Sequence, residues 1–563
     1  MKVSDYVAAT LFEHGISTIF GFQGSNVTHL VDSINKTDGL SYIQNHHEQA
    51  SAFAACAYSS VKNDYGCALA SSGPGAINMI SGIANAWLDS LPVVFITGQL
   101  NTKSLRTDNS KRQHGFQEFD IVSTVKDITK YSVTVKDEAE IRYHLEKALY
   151  LAKDGRNGGV LLDIPHNIQT ADVDISSLRG FAPEHNIPLL ISKKSIEDSI
   201  TLIESSKRPL VLVGGGAKEL KKNDFFSRFL YRLDMPVVAS LNGLDILPHS
   251  YENFFGFIGS YGNRFANIAV HECDLLIVLG SRLDMRQTGD FPEEFAKNAK
   301  IIRVDIDPHE LSGNVNPDIS VYSRCIDYIK AILDCIKGCP GKNAEWLQRL
   351  RSLRENYPVF SKDDPKTYPN EIIHLVSCLF KGNDVITADV GQNQMWTAQS
   401  VFLKDNMRLL NSAGLGSMGF SLPASIGASF TGQNSHILCV SGDGGIQMNI
   451  QELMTVSREN LPVKILILNN RSLGLIRTYQ SIVFKNDIGS VKGFSSPDYE
   501  LLAKSYGIRY ASIEKASDIL KIRPEISDDL PLLIEVKLSY DTEVHPEPAY
   551  MKPVYIQSPL LEQ

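Results

Sequence analysis

Long apolar runs are missing from this chain of 563 residues. None approaches the ~20 residues that a membrane-crossing helix needs, so no membrane role is expected. An excess of positive charge is missing too. The chain has 55 Lys and Arg against 64 Asp and Glu, a formal net charge of -9, and no long basic run, so the electrostatic footprint of a nucleic-acid binder is absent. The eight cysteines stand singly at 56, 67, 273, 325, 335, 339, 378 and 439, with no CxxC pair and no His cluster at zinc spacing. Buried, reduced thiols are expected. Cys335 and Cys339 could face each other one helical turn apart, but the Gly-Cys-Pro that closes this stretch reads as a loop, and no function is assigned to them. The opening MKVSDYVAATLFEHG lacks the basic segment, long apolar stretch and cleavage site of a secretory signal, and reads as an amphipathic helix of a cytoplasmic protein.

What is present is an ordinary globular composition, 43% hydrophobic and 21% charged, in a chain too long for one core. Residues 1–170 alternate helical patterns with the apolar strand candidates CALASS, PVVFITGQ and GGVLLDIP, the signature of a parallel sheet covered by helices. Between 170 and 195 the periodicity stops and Pro and polar residues collect, as in a linker. A second unit, 190–335, offers PLVLVGGG, MPVVAS, DLLIVLGS and KIIRVDID as strands. After a polar helical connector, a third unit (365–540) offers NDVITADV, SHILCVSGDG, VKILILNN and PLLIEVKL, and a tail covers 541–563. The fold class is therefore α/β, with three doubly wound parallel-sheet domains.

In such sheets ligands bind beyond the carboxyl ends of strands. The sharpest feature lies there: Ser441-Gly442-Asp443-Gly444-Gly445 closes one apolar strand, and Asn469-Asn470 closes the next. A strand, a crossover helix and a returning strand fit the interval, which places Asp443 and Asn470 at neighbouring strand ends. A carboxylate and an amide oxygen are hard ligands suited to Mg²⁺, which completes its shell with phosphate oxygens and water. The glycines, with Gly474 in the following loop, let backbone amides approach those phosphates. A pair of tight turns is the plain alternative, and the paired spacing favours a metal-diphosphate site. In the first domain Glu48 heads a helix of small residues, ASAFAACAYSS; taken alone, it reads as a first-turn acid favoured by the helix dipole.

Taken together, HHEQ at 46–49, GPG at 73–75, the GDG and NN pair, and VGQNQMW at 390–396 resemble the thiamine-diphosphate-dependent decarboxylase and carboligase superfamily, and within it the acetolactate synthase catalytic subunit. The likeness extends through ITGQ at 96–99, GFQEFDIV at 115–122, SAGLGSMGFSLPASIGA at 412–428 and MNIQEL at 448–453. It implies thiamine diphosphate, Mg²⁺ and FAD as cofactors. Asp443, Asn470 and the Ser472 carbonyl would hold Mg²⁺, Gln392 and Asn393 (where the family has His) would contact phosphate, and Gly24, Gly73, Gly442, Gly444, Gly445 and Gly474 would leave room for the cofactor. Glu48 would bond N1' of the aminopyrimidine and favour its imino tautomer. Met418 would wedge beneath the cofactor and press its rings together. Because the two cofactor-binding domains belong to different subunits in this superfamily, a homodimer or homotetramer with active sites at the subunit interface is implied.

The central unit has Gly214-Gly215-Gly216 but no GxGxxG, so its residues alone make only a weak nucleotide signal. The resemblance strengthens it through GFIGSYG (256–262), GSRLDMRQTG (280–289) and KIIRVDIDP (300–308). Gly215, Gly216, Asn242, Arg282, Asp284 and Asp305 are the FAD candidates, although Tyr261 replaces a His and the stretch around Arg324 lacks the family's late acid. Arg286 matches the arginine that receives the carboxylate of a second 2-keto acid, while Phe116, Gln117, Gln99 and Lys130 match channel-lining positions. Ser25-Asn26, Leu475 and Tyr479 depart from the family there, as does the ending EVHPEPAYMKPVYIQSP, which would alter the lid over the channel. The expected activity is decarboxylation of pyruvate with transfer of the two-carbon unit to a second carbonyl compound. The acceptor is a 2-keto acid, or alternatively a ketone such as a nucleotide-linked keto sugar; a simple 2-keto acid decarboxylase or oxidase is the further alternative. No nucleic acid and no membrane partner is expected.

Overall fold

The computed structural model describes residues 1–108, 110–183, 191–336, 338, 341–362, 364–432, 436–484 and 491–560. Its core is three six-stranded sheets, each with parallel strands throughout and helices on both faces. The first contains β1 (Thr18–Phe22), β2 (Ser41–Gln44), β3 (Gly66–Ala70), β4 (Val93–Gln99), β5 (Tyr131–Thr134) and β6 (Val160–Pro165), in the order β2-β1-β3-β4-β6-β5. The second contains β7 (Pro209–Val213), β8 (Val237–Ala239), β9 (Phe254–Phe257), β10 (Leu275–Leu279), β11 (Lys300–Asp305) and β12 (Ile319–Tyr322), in the order β12-β11-β10-β7-β8-β9. The third contains β13 (Val385–Ala388), β14 (Arg408–Asn411), β15 (Ile437–Gly442), β16 (Val463–Asn469), β17 (Arg509–Ile513) and β18 (Leu532–Lys537), in the order β14-β13-β15-β16-β18-β17.

The first and third sheets share one topology. The middle sheet has another, the order of dinucleotide-binding folds, with its reversal between β7 and β10. The central strands are largely apolar because helices cover both of their faces: every residue of β3, β7, β10 and β16 is buried, including Lys464 of β16, which pairs with Asp528.

The small-residue helix expected after Glu48 spans Glu48–Lys62. Its composition follows from what crosses it. The helix Ser421–Ser429 of the third unit packs so closely that a Cβ on Gly427 would stand 2.0 Å from the carbonyl oxygen of Ala54, and on another side the first-unit helix Ile80–Leu88 packs so closely that a Cβ on Gly82 would stand 2.2 Å from the Ala52 Cβ. Polar ties join the same two units beside that contact: Asn45 Nδ2 donates to Glu452 at 2.9 Å, and Asn449 Nδ2 to Gln49 at 3.1 Å.

The tail leaves β18 and passes Gln392 and Arg477, both of which donate to the Thr542 carbonyl. It then lies on the second unit as a small antiparallel pair, Glu547–Pro548 with Gln557–Ser558. Buried Arg264 donates to the carbonyls of Gln557 and Pro559, and Tyr555 stacks on His271 at 3.6 Å. No helix among the described residues is long and apolar enough to cross a membrane. Of the cysteines, 56, 67, 273, 325 and 439 are buried as expected. Cys378 is half-buried and Cys335 exposed, against expectation, because Cys335 ends its helix at the surface. Cys339, like residues 184–190 of the linker stretch, lies outside the described residues.

Candidate active site

Asp443 directly follows β15 and Asn470 directly follows β16, and these strands are paired in register with Gly442 opposite Leu468. Both side chains are buried. Burial raises the Asp443 carboxyl to about 6, against the pull of the Ser496 hydroxyl and the backbone amides of Gly444, Ser472 and Arg471. Asn470 spends its amide Nδ2 on Gln392 Oε1 at 2.8 Å, which turns its oxygen outward as an acceptor. Ser472 carries a buried hydroxyl with no partner. Gly474 lies close against the same amide: a Cβ there would stand 1.8 Å from Gln392 Oε1 and displace that side chain. A Cβ on Gly444 would meet Leu473 at 2.6 Å and the tip of half-buried Met418 at 3.3 Å, so backbone, apolar side chains and hard oxygens converge on one concavity. Two side-chain oxygens with an orphaned hydroxyl suit a hard cation on a diphosphate. Asn393, expected at the phosphates, gives one Nδ2 hydrogen to the Asp389 carbonyl at 2.6 Å and keeps the second, with its amide oxygen near Gly442.

Glu48 is 9% exposed, in the first turn of its helix. Asn78 Nδ2 holds one carboxylate oxygen at 2.9 Å, and the other faces Gly75, where a Cβ would stand 3.0 Å away. Gly73 has φ +62, and a Cβ there would meet the Gln117 carbonyl oxygen at 2.8 Å; Gln117 is itself at φ +64. Gly24 packs as tightly on Ser71, and Asn26 is buried with its Nδ2 on Ser72 Oγ at 2.6 Å, while Ser25 is exposed. Among the described residues, no hydrogen bond or ion pair joins Glu48 to Asp443, Asn470 or Gln392. Phe116 is 83% exposed and Tyr479, on the helix Gly474–Val483 with half-buried Leu475, is 59% exposed.

Two expected channel residues are committed elsewhere. Gln99 Nε2 bridges the Phe119 carbonyl at 3.0 Å and Asp163 at 3.2 Å. Lys130 Nζ binds the carbonyls of Asp154 and Arg156, holding a turn.

In the second unit a cleft of about 460 Å³ opens where the strand order reverses. It is lined by Gly215, Gly216, Asn242, Arg282, Asp284 and Asp305, and Arg286 reaches it from the helix Met285–Thr288. Burial raises the Asp305 carboxyl. Arg282 lies 3.6 Å from Asp284, and Arg286 is held by Gln394 Oε1 at 3.2 Å. Arg324 stands at the wall in an ion pair with Glu219 at 2.6 Å. Sequence reading missed two further lining residues that come from the first unit. Asp89 accepts from Asn242 and from the Gly414 amide, and Arg156 pairs with Asp307 and Glu310. No local pattern marks either one, since their partners lie more than 150 residues away.

Comparison with known proteins accounts for this arrangement. Three family models match in order: the N-terminal TPP-binding domain of thiamine pyrophosphate enzymes over residues 1–124, their central domain over 196–332, and their C-terminal TPP-binding domain over 389–536. The acetolactate synthase large subunit of Lactococcus lactis is 34% identical over 545 residues, covering 96% of this chain and 93% of that protein. That of Cyanidium caldarium is 36% identical over 555 residues, covering 95% of this chain and 93% of that protein. The chain belongs to the acetolactate synthase large-subunit family of thiamine pyrophosphate enzymes. A further member, the isozyme 1 large subunit of Escherichia coli, is 32% identical over 546 residues, covering 96% of this chain and 95% of that protein. Membership of the family over the whole chain makes the Asp443 concavity and the Glu48 helix two parts of one thiamine diphosphate enzyme.

Proposed function

We propose that this chain decarboxylates pyruvate and joins the two-carbon unit to a second 2-keto acid, as an acetolactate synthase, with Mg²⁺ and FAD bound beside thiamine diphosphate. The observation that carries this reading is the pair Asp443 and Asn470 at adjacent strand ends, with a free amide oxygen and an unpartnered Ser472 hydroxyl between glycines. Asp443, Asn470 and the Ser472 carbonyl hold Mg²⁺ on the diphosphate, and Met418 supports the cofactor from below. When bound, thiamine diphosphate supplies the electron sink that decarboxylation needs. Glu48 holds and returns a proton at the oxygen that faces Gly75, while Asn78 fixes the other.

Arg286 receives the carboxylate of the acceptor, its planar guanidinium presented on the edge of the cleft by Gln394. The cleft fits FAD: it lies at the reversal of a dinucleotide-type strand order, glycine backbone lines one wall and Asp305 stands at a strand end where a ribose would bind. The site is completed by a second copy of the chain, which brings its Glu48 and the exposed Phe116 and Gln117 loop to the Asp443 concavity. The shared name of the relatives favours a 2-keto acid over a keto sugar as acceptor.

The test is turnover of pyruvate with thiamine diphosphate, Mg²⁺ and FAD, the carbon product being identified with and without added ketones. Acetolactate formed efficiently from pyruvate alone is the expected result. Slow self-coupling with rapid capture by an added ketone overturns the choice of acceptor.

A further inference from the structure

A second, smaller cavity of about 190 Å³ lies where the three units meet, and neither cofactor role uses it. The first unit contributes Asn63, the second Lys218, Lys221, Lys222 and Asp245, and the third Asn406 and Arg408. Four cationic side chains thus face one carboxylate, in a protein whose net charge is -9.

That carboxylate is already committed. Asp245 is buried, Arg408 Nε reaches it at 2.7 Å and Lys221 Nζ stands at 3.9 Å. Burial alone would raise its carboxyl, but the surrounding Lys218, Lys221 and Arg408 reverse this and hold it far below the usual range. One negative charge does not satisfy the cluster. Burial, opposed by Asp245 and aided by Arg408, Lys218 and Lys222, lowers Lys221 to about 8. Lys218 and Lys222 have no hydrogen-bond or ion-pair partner among the described residues. Asn63 and Asn406 line the same wall and bring amide donors to it.

Unpaired cations, amide donors and a small volume are the chemistry of a phosphate pocket. We propose that this junction cavity binds a phosphate group, brought by inorganic phosphate or a small phosphate monoester, as a site separate from the two cofactor sites. Because all three units contribute to its wall, its occupant ties them together, and binding is read as stability.

The cavity shares Lys218 and Asn63 with the larger cleft, so the dinucleotide's own phosphates are the competing source, and the experiment separates the two. Protein saturated with thiamine diphosphate, Mg²⁺ and FAD is titrated with inorganic phosphate against chloride of equal ionic strength, and the thermal midpoint is followed. The midpoint should rise by about 1 °C at tenfold excess over Kd. Lys221→Met should abolish the rise. Lys222→Asn, at an exposed position with φ 57 that Asn tolerates, should weaken phosphate binding several-fold in a protein that folds normally. No rise beyond chloride, or the same rise in Lys222→Asn as in the parent, overturns the site. A rise seen only without FAD assigns the cavity to the dinucleotide and overturns its independence.

Discussion

Single side chains in this protein are placed by what denies them water. Glu48 is held by Asn78 on one oxygen and left bare beside Gly75 on the other, so the role proposed for it rests on one proton position. Glu48→Gln keeps the shape and the Asn78 contact but cannot carry the proton. Turnover of pyruvate should fall by about 10²–10⁴-fold with an unchanged thermal midpoint, and unchanged turnover would remove Glu48 from the mechanism. Asp163 shows the same logic away from the chemistry. It is buried on β6 and accepts from Thr97 at 2.7 Å, Thr134 at 3.0 Å and Gln99 at 3.2 Å; burial nevertheless raises its carboxyl from 3.8 to about 7. An acid with a raised folded-state value favours the fold at low pH. Its contribution is full below about pH 4, is lost as pH rises, and levels off above about 7. Asp163→Asn has no such slope, so the midpoint of the parent minus that of the variant should decline between pH 4 and 7 and then stay flat. A difference independent of pH would mean that Asp163 does not titrate there. Gln99, expected on sequence grounds to line the channel, is instead the link from this buried carboxylate to the Phe119 carbonyl, beside Phe116 and Gln117.

At the scale of elements, the decisive contact is the crossing of helices Glu48–Lys62 and Ser421–Ser429. It allows the first and third units to pack only because Gly427 lies on the Ala54 carbonyl. Gly427→Val forces a branched side chain into that space and should cost about 2 kcal/mol or more, lowering the thermal midpoint; a midpoint within a degree of the parent would show that the crossing can open. The strands at sheet centres were legible in the sequence because parallel strands buried on both faces are continuous apolar words. Those missed were β1 and the six edge strands β2, β5, β9, β12, β14 and β17. Most edges carry the mixed burial of one covered side, as in Ser41–Gln44 and Ile319–Tyr322, and so lack both the apolar run and a clean alternation. β1 was missed for another reason: Gly21, which the packed Leu69 carbonyl and Tyr42 ring require, interrupts its apolar run.

For the whole molecule, the proposed completion of the site by a second copy of the chain makes assembly part of the chemistry. A chain carrying Glu48→Gln and a chain carrying Asp443→Asn should each be inactive alone. Mixed after dissociation and reassembly, they should recover about a quarter of the parent activity, since half of random dimers are mixed and each of those has one intact site. No recovery would mean that each chain builds its own site. The C-terminal tail contributes at this scale too. Its first residues receive Gln392 and Arg477 at the Thr542 carbonyl, and its last described ones are clamped to the second unit by Arg264, so it straps two units together.

What the sequence determined by itself was local: the apolar strands, the chemistry that closes each of them, and the spacing that puts Asp443 and Asn470 at adjacent strand ends. Those features depend on hydrophobic period and chain connectivity, which a linear text records. The tertiary structure alone decided which amides are already spent, as at Gln99, and it brought Asp89 and Arg156 to a cleft of another unit. It also gathered four cations from two units around Asp245. Such outcomes depend on contacts between residues far apart in the chain, where burial and spatial partners, rather than residues adjacent in sequence, set the charge and the direction of each side chain.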